Sequence, residues 1–161
     1  HAMQCALADR PVHWAGVDVN AAQVALNNEQ AIRTGVLNIE FAAAPAAAWF
    51  GIGDSVAVLH VLEHTAYPTE TLVAAEKYVA PHGHVVVVVP EDARAAEVSQ
   101  ADLDNIRAGV CPEERGHINS MTLQDLIALV VPRGRLLDAS RIQTAPNNWD
   151  ACVVYAPRGS V

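Results

Sequence analysis

The sequence has few positive charges and lacks any apolar run of membrane-spanning length. Its 161 residues include one lysine, Lys77, and nine arginines, and the formal net charge is −8. Because proteins that bind a phosphate backbone usually present a dense basic face, this composition argues against nucleic acid as a partner. A membrane span needs about 18 or more consecutive apolar residues, and the sequence contains no such run. No charged-then-apolar signal sequence opens the chain, so we expect no membrane association.

Cysteine is also scarce. Cys5, Cys111 and Cys152 are odd in number, widely spaced and in no metal-ligand pattern. This spacing predicts neither a disulfide framework nor a structural zinc site, and it is typical of reduced thiols in a cytoplasmic protein. The length suits one domain with a substantial core, so we expect residues 1–161 to form a single domain.

The strongest structural pattern lies between Asp54 and Pro90. Ser55–Leu59 and the five valines Val85–Val89 are apolar runs without polar alternation, which is typical of parallel strands buried on both faces. Between them, Pro68–Val79 has an early proline and apolar residues at helical spacing, which predicts a helix. Strand, helix and strand in this order form a βαβ unit with a right-handed crossover.

The rest of the chain continues this alternation of strands and helices. Asn20 and Gly35 are suited to begin and end a helix at Ala21–Thr34. The other predicted elements are strands at Val12–Asn20 and Asn38–Ala43, helices at Glu91–Ala108 and from Thr122 to about Val131, and an antiparallel pair of strands at Arg135–Gln143 and Trp149–Ala156. The predicted fold class is therefore α/β, a mostly parallel sheet flanked by helices with a C-terminal antiparallel hairpin.

Four segments, in order, resemble the class I S-adenosylmethionine-dependent methyltransferases. They are Gly16-Val17-Asp18-Val19-Asn20, Asp54 to His64, Leu72 to Pro90 with the turn Ala80-Pro81-His82-Gly83, and His117 followed by Ser120-Met121-Thr122-Leu123. The resemblance implies a Rossmann-like fold and S-adenosylmethionine as cofactor. It also implies that Asp18 binds the ribose hydroxyls, with Val19 and His60 as further cofactor contacts.

Two features depart from that family. Its first strand and glycine-rich loop should precede Asp18, yet no Gly-x-Gly-x-x-Gly occurs, and Phe41–Ala44 stands where an acid often lies near the adenine. We therefore expect an N-terminally incomplete domain whose 161 residues alone bind the cofactor weakly or not at all. Without the central strand, two strand edges would keep unpaired backbone groups. There are three possibilities: the two edges pair with each other, a second copy or a partner chain fills the slot, or further residues precede His1.

Several side chains at the end of the predicted strand Ser55–Leu59 are candidates for chemistry. Some family members bind a divalent metal there through Glu-x-x-Glu-His, which His60, Glu63 and His64 resemble, with His117 as a distant fourth ligand. Imidazole with carboxylate favours zinc, manganese or iron over magnesium. The alternative is a strand-end loop with Glu63 and His64 in local hydrogen bonds. His64 or His117 could instead be the catalytic base, because imidazole titrates near neutral pH.

The predicted function is methyl transfer from S-adenosylmethionine, most simply to a small molecule, which the sequence does not name. One alternative is a metal-dependent RNA 2′-O-methyltransferase, which His117 favours and the net charge opposes. A second is a non-catalytic partner domain that kept the fold and lost the cofactor loop. Another doubly wound enzyme, such as a dehydrogenase, is disfavoured by the same absent glycine loop.

Overall fold

Two compact units make up the chain, one within residues 1–50 and the other within residues 51–161. The computed structural model describes residues 12–44, 51–91 and 118–159. Within these ranges, no helix has the length and apolar character needed to cross a membrane.

The first unit consists of two parallel strands and the helix that connects them. Strand β1 (Trp14–Asp18) pairs with β2 (Ile39–Ala43), and helix α1 (Ala21–Thr34) lies between them in sequence. The side chain of Asn20 accepts a hydrogen bond from the Gln23 amide and so caps the helix. Gly35 ends it with a φ of 68°, a left-handed conformation that glycine adopts without strain. The predicted helix bounds are confirmed.

Packing within the first unit depends on Phe41. The Phe41 ring packs against a small core of Ala31, Val36 and Ile39. A Cβ at Gly16 would lie 2.6 Å from this ring, so only glycine permits the approach. The Asn28 side chain donates to the Phe41 carbonyl and accepts from the Phe41 amide, at 3.0 and 3.1 Å. These contacts hold α1 against the β1–β2 pair.

A four-stranded sheet forms the second unit. Its strands are β3 (Gly53–Leu59), β4 (Val79–Pro90), β5 (Gly134–Ala145) and β6 (Asn148–Pro157), and its helices are α2 (Pro68–Glu76) and α3 (Leu123–Val130). The strand order is β3-β4-β6-β5. β3 and β4 are parallel, while β6 is antiparallel to both of its neighbours. The prediction of an interior valine strand and an antiparallel hairpin at one edge is therefore confirmed.

The valine run supplies the centre of the core. Val85, Val87 and Val89 are fully buried against α2 and α3 residues that include Leu72 and Leu126. The alternate residues Val86 and Val88 are only half-buried in the described structure. The valine strand was expected to be buried on both faces, but only one of its faces is fully buried.

The predicted turn at Ala80–Gly83 lies within β4 as a large bulge. Gly53 pairs with Val79 and Ser55 with His84, so four residues of β4 lie opposite Asp54 alone. His82 has a φ of 69°, and a Cβ at Gly83 would lie 2.5 Å from the Asp54 carbonyl oxygen. The bulge explains why a proline and a glycine precede a long valine strand.

Some predictions fall on other parts of the chain. Apart from Glu91, the predicted helix Glu91–Ala108 lies outside the described residues, and so does His117. The single-domain prediction and the prediction of a missing central strand remain predictions.

Candidate active site at the sheet rim

The candidate site of the second unit lies where β3 ends. His60 follows β3 with a φ of 53°, and its amide donates to the Val88 carbonyl at 2.9 Å, which extends the ladder by one bond. A left-handed backbone is uncommon outside glycine and often marks functional turns. The chain then forms a short 3₁₀ turn at Leu62–His64, in which Leu62 and Glu63 are buried.

The ring of His60 lies between two buried acids. Its Nε2 is 3.0 Å from Asp150 Oδ2, and its Nδ1 is 3.6 Å from Glu63 Oε1. The side chain of His60 is 46% exposed, whereas those of Glu63 and Asp150 are 2% and 8% exposed. Because β6 is antiparallel to β4, its first residues lie at the carboxyl end of β4, and Asp150 pairs with Pro90 there.

Sequence reasoning missed Asp150. It lies 90 residues from His60, and the acid precedes the apolar segment Ala151–Tyr155 of a predicted edge strand. The available signal was its position, because an acid at the start of an antiparallel strand meets the carboxyl ends of its parallel neighbours. Only the pairing of β4 with β6 shows that this acid reaches His60.

Glu63 is the unusual group of the site. Both of its carboxylate oxygens are buried, and neither has a hydrogen-bond partner in the described structure. The nearest ring nitrogens are His60 Nδ1 at 3.6 Å and His64 Nε2 at 3.8 Å from Oε1. Both distances exceed that of a hydrogen bond. Burial of a carboxyl group without a hydrogen-bond partner is costly.

Backbone hydrogen bonds hold the turn in place. The amides of Ile118 and Asn119 donate to the Glu63 carbonyl at 2.7 and 3.0 Å. The Asn119 side chain donates to the carbonyls of Leu62 and Thr65. The segment after His117 is therefore attached to the turn that carries Glu63 and His64.

The predicted metal site gains no support from the residues that can be examined. The structure brings His60, Glu63 and His64 together around one carboxylate oxygen. Even so, no group of three or more histidine, cysteine or acidic residues in the described ranges could hold a metal ion. The fourth predicted ligand, His117, lies outside those ranges.

The first unit carries the predicted cofactor residues Asp18 and Val19. Asp18 is exposed at the end of β1, and its Oδ1 accepts a hydrogen bond from the Asn20 amide at 2.8 Å. The Asp18 carbonyl accepts from the Ala44 amide at 3.0 Å, which ties the end of β1 to the end of β2. A carboxylate has about four acceptor positions, so Asp18 keeps capacity for two hydroxyl donors. Val19 is 76% exposed beside it.

A family profile described as "Methyltransferase domain" matches residues 4–134. The chain belongs to this methyltransferase family. The residues that suggested the family are distributed over most of the matched range, from the end of β1 to the capping segment of α3. The predicted family is confirmed.

Solved structures show the same fold. The [4+2]-cyclase SpnF matches 98% of this chain and 70% of its own, with a TM-score of 0.71 and 14% identity. Magnesium protoporphyrin IX methyltransferase from Synechocystis PCC 6803, with bound SAH, matches 95% and 66%, with a TM-score of 0.66 and 13% identity. A 16S rRNA (adenine(1408)-N(1))-methyltransferase variant from Catenulisporales acidiphilia matches 97% and 79%, with a TM-score of 0.66 and 12% identity.

At these identities the likeness shows the fold alone, and the predicted fold class is confirmed. The chain spans between 66% and 79% of the length of these three proteins. No curated protein sequence matches the chain significantly.

Proposed function

We propose that this domain transfers a methyl group from S-adenosylmethionine to a small molecule. The observation that carries the proposal is Asp18, an exposed carboxylate at the carboxyl end of a parallel strand in a methyltransferase-family chain. In sheets of this kind, an acid at a strand end is suited to bind ribose hydroxyls. A methyltransferase of the same fold was solved with bound SAH, which supports the choice of cofactor.

The residues of the first unit fit a nucleoside. Asp18 would accept hydrogen bonds from the ribose, and the exposed Val19 would offer apolar surface to the base. His60 remains the third proposed cofactor contact, at the rim of the second unit. When bound, S-adenosylmethionine supplies an electrophilic methyl group. The residues of this chain would then orient the acceptor and remove its proton.

The proposed acceptor is a small molecule because the described surface offers few cations to a polyanion. It has six lysines and arginines, of which Arg33, Arg133 and Arg141 each pair with a glutamate, while Lys77, Arg135 and Arg158 are exposed. The proposed catalytic residues are the two that the sequence suggests, His64 and His117. His64 is half-exposed at the turn. The turn that carries His64 is hydrogen-bonded to the residue that follows His117, which supports treating the two segments as one site.

Calorimetry of cofactor binding by the full-length gene product tests the proposal. We expect Asp18→Ala to weaken S-adenosylmethionine binding about tenfold or more, since charge-assisted hydrogen bonds contribute about 1.5–3 kcal/mol. The matched control is Glu40→Ala, which removes an exposed carboxylate from the neighbouring strand β2. Equal affinity in the Asp18→Ala variant and the unmodified protein would contradict the assigned role.

A second candidate is a domain that keeps the fold but catalyses no methyl transfer. One specific observation favours this candidate: a solved structure with the same fold is described as a [4+2]-cyclase. The two candidates differ in the fate of the cofactor. Methyl transfer is supported if S-adenosylmethionine is converted to its demethylated product in the presence of an extract that contains the methyl acceptor. Binding without turnover supports the second candidate.

A further inference from the structure

The inference concerns Asn119, which connects the turn Leu62–His64 to the segment after His117, and it rests on the proposed function. The side-chain nitrogen Nδ2 of Asn119 donates to the Leu62 carbonyl at 2.9 Å and also to the Thr65 carbonyl. Leu62 begins the turn, and Thr65 directly follows it. The bonded residues are 57 and 54 positions apart in the sequence, so these bonds hold one segment against another.

The two carbonyls determine which side chain is suited to position 119. A carbonyl oxygen only accepts hydrogen bonds, so the group that binds both carbonyls has to donate twice. A primary amide carries two N–H groups on one nitrogen and meets this requirement. Aspartate and leucine have nearly the same shape as asparagine, but an ionised aspartate and a leucine have no donor in the side chain. The contact therefore depends on the amide of Asn119.

The turn has little support from its own hydrogen bonds. The His64 amide donates to the Val61 carbonyl at 3.0 Å, and the Thr65 amide donates to the Leu62 carbonyl at 3.3 Å. Bonds of this 3₁₀ type have poorer geometry than those of an α-helix, and a helical turn leaves the carbonyls at its end without partners inside the turn. Donors from another part of the chain are therefore needed to fix the turn.

The backbone next to the Asn119 side chain adds to this support. The amides of Ile118 and Asn119 both donate to the Glu63 carbonyl, at 2.7 and 3.0 Å. His60, which precedes the turn, is held differently, because its amide donates to the Val88 carbonyl of β4. Asn119 thus acts on the turn itself and not on the end of β3.

We propose that Asn119 is a positioning residue of the methyl-transfer site. It sets the place of His64, one of the two proposed catalytic residues, by holding the turn that carries it. The His64 side chain is 50% exposed, so the turn presents it to solvent, from which an acceptor can approach. The other proposed catalytic residue, His117, precedes Asn119 by two positions in the sequence. The same contact therefore connects the two segments that carry these histidines.

Amide hydrogen exchange of the ¹⁵N-labelled full-length protein tests this role without cofactor or acceptor. We expect Asn119→Leu, which removes both donors at nearly constant shape, to speed exchange of the His64 amide about tenfold or more. Asn119→Asp should have the same effect. Tyr155→Phe is the control for stability, because it removes a hydrogen bond to Glu76 outside the turn. In this variant the His64 amide should exchange as in the unmodified protein.

Three results would overturn the proposal. The first is an unchanged His64 exchange rate in Asn119→Leu. The second is an equal increase in Tyr155→Phe, which would show that Asn119 acts only on the stability of the whole unit. The third is an effect confined to Asn119→Asp, which would reflect the added charge. Where neither Asn119 variant folds, the unmodified protein still decides: NMR couplings across the hydrogen bonds should join Asn119 Nδ2 to the carbonyl carbons of Leu62 and Thr65, and their absence overturns the proposal.

Kinetics separate this proposal from the proposed function. Once an acceptor is found, we expect Asn119→Leu to lower kcat on the order of 10²-fold, because a misplacement of about 1 Å has an effect of this size on catalysis. The calorimetric affinity for S-adenosylmethionine should be unchanged, since Val88 and not Asn119 holds the backbone of His60, the proposed cofactor contact. Tyr155→Phe should keep both values.

Loss of cofactor affinity with an unchanged kcat in Asn119→Leu would overturn the positioning role. Absence of any cofactor binding in the unmodified protein, together with the expected exchange of the His64 amide in Asn119→Leu, would contradict the proposed function. That result would leave the control of the turn by Asn119 standing.

Discussion

At the scale of single residues, three buried or half-buried polar side chains connect separate parts of the second unit. Glu76 on α2 accepts from Arg133 through both carboxylate oxygens, at 2.7 and 2.8 Å, and from the Tyr155 hydroxyl at 2.7 Å. Burial and the hydrogen bond to Glu76 raise the pKa of Tyr155, and the Glu76 hydrogen bonds raise the pKa of Arg133. The network ties α2, the residues after α3 and strand β6 together.

Tyr155→Phe tests the network with little change in packing volume. Because Tyr155 is fully buried, the substitution removes a charge-assisted hydrogen bond but leaves the ring in the core. We expect the free energy of unfolding to fall by about 1.5–3 kcal/mol in urea titrations. Arg33→Lys is the control, since its pair with Glu29 is well exposed and should change stability by less than about 0.5 kcal/mol. A Tyr155→Phe variant as stable as the unmodified protein would show that the hydrogen bond contributes nothing.

Cys152 leads to a prediction about pH. Burial raises the pKa of its thiol above the ordinary value of 9.0, with a smaller contribution from the charge of Asp138. Folding therefore favours the protonated thiol. Its contribution to stability is complete below the unfolded pKa and is lost as the pH rises through the folded pKa. We expect alkaline destabilisation, measured by urea midpoints above pH 9.0, to be shallower in Cys152→Ala. Parallel curves for the two proteins would refute it.

At the scale of helices and strands, local signals in the sequence predicted most bounds correctly. Asn20 and Gly35 enclose α1, and Thr122 with Asp125 forms a complete capping box at the start of α3. Such signals work because the capping partners are three or four residues apart. The valine strand was equally clear, because β-branched residues without polar alternation are suited to a buried strand.

Thr122→Ala tests the contribution of the capping box. The Thr122 hydroxyl accepts from the Asp125 amide, and the Asp125 carboxylate accepts from the Thr122 amide. We expect Thr122→Ala to lower the free energy of unfolding by about 1 kcal/mol, and Thr122→Ser, which keeps the hydroxyl, to restore most of it. Equal losses in both variants would show that the hydroxyl is not responsible.

The same box should weaken in acid. The hydrogen bonds from Thr122 lower the pKa of Asp125 below its ordinary value of 3.8. The carboxylate therefore stabilises the helix above the unfolded pKa, and that stabilisation is lost as the pH falls through the folded pKa. We expect the difference between Asp125→Asn and the unmodified protein, in urea midpoints, to shrink as the pH falls below 3.8. A difference that stays constant over that range would contradict this assignment.

Pairings between distant elements were not predictable in the same way. The contact of His60 with Asp150 depends on which strand lies beside β4 and on its register, and neither leaves a local mark in the sequence. The bulge in β4 was interpreted as a turn, because Pro81 and Gly83 signal a break but not whether pairing resumes. The sequence predicted that His60, Glu63 and His64 lie together, but it did not predict the burial of Glu63 or the contact of His60 with Asp150.

At the scale of the whole molecule, the charge distribution bears on the kind of acceptor. The net charge is −8, and within the described ranges Arg133 and Arg141 pair with glutamates that are largely buried. Glu91, the partner of Arg141, also accepts from the Leu123 amide at the start of α3, so this pair is part of the fold. A phosphate backbone would have to compete with these carboxylates for both arginines.

RNA binding separates a small-molecule enzyme from an RNA methyltransferase. We expect the full-length protein to show no measurable binding to single-stranded or hairpin RNA in gel-shift titrations at physiological salt, with or without S-adenosylmethionine. At low salt any residual binding should be weak. The logarithm of the affinity for nucleic acid rises as salt falls, with a slope set by the number of phosphates that cations neutralise. Arg141→Ala removes a half-exposed cation, so it tests whether any binding that is seen depends on this residue. Tight binding that falls steeply with added salt, and that weakens further in Arg141→Ala, would contradict the small-molecule proposal and favour RNA as the methyl acceptor.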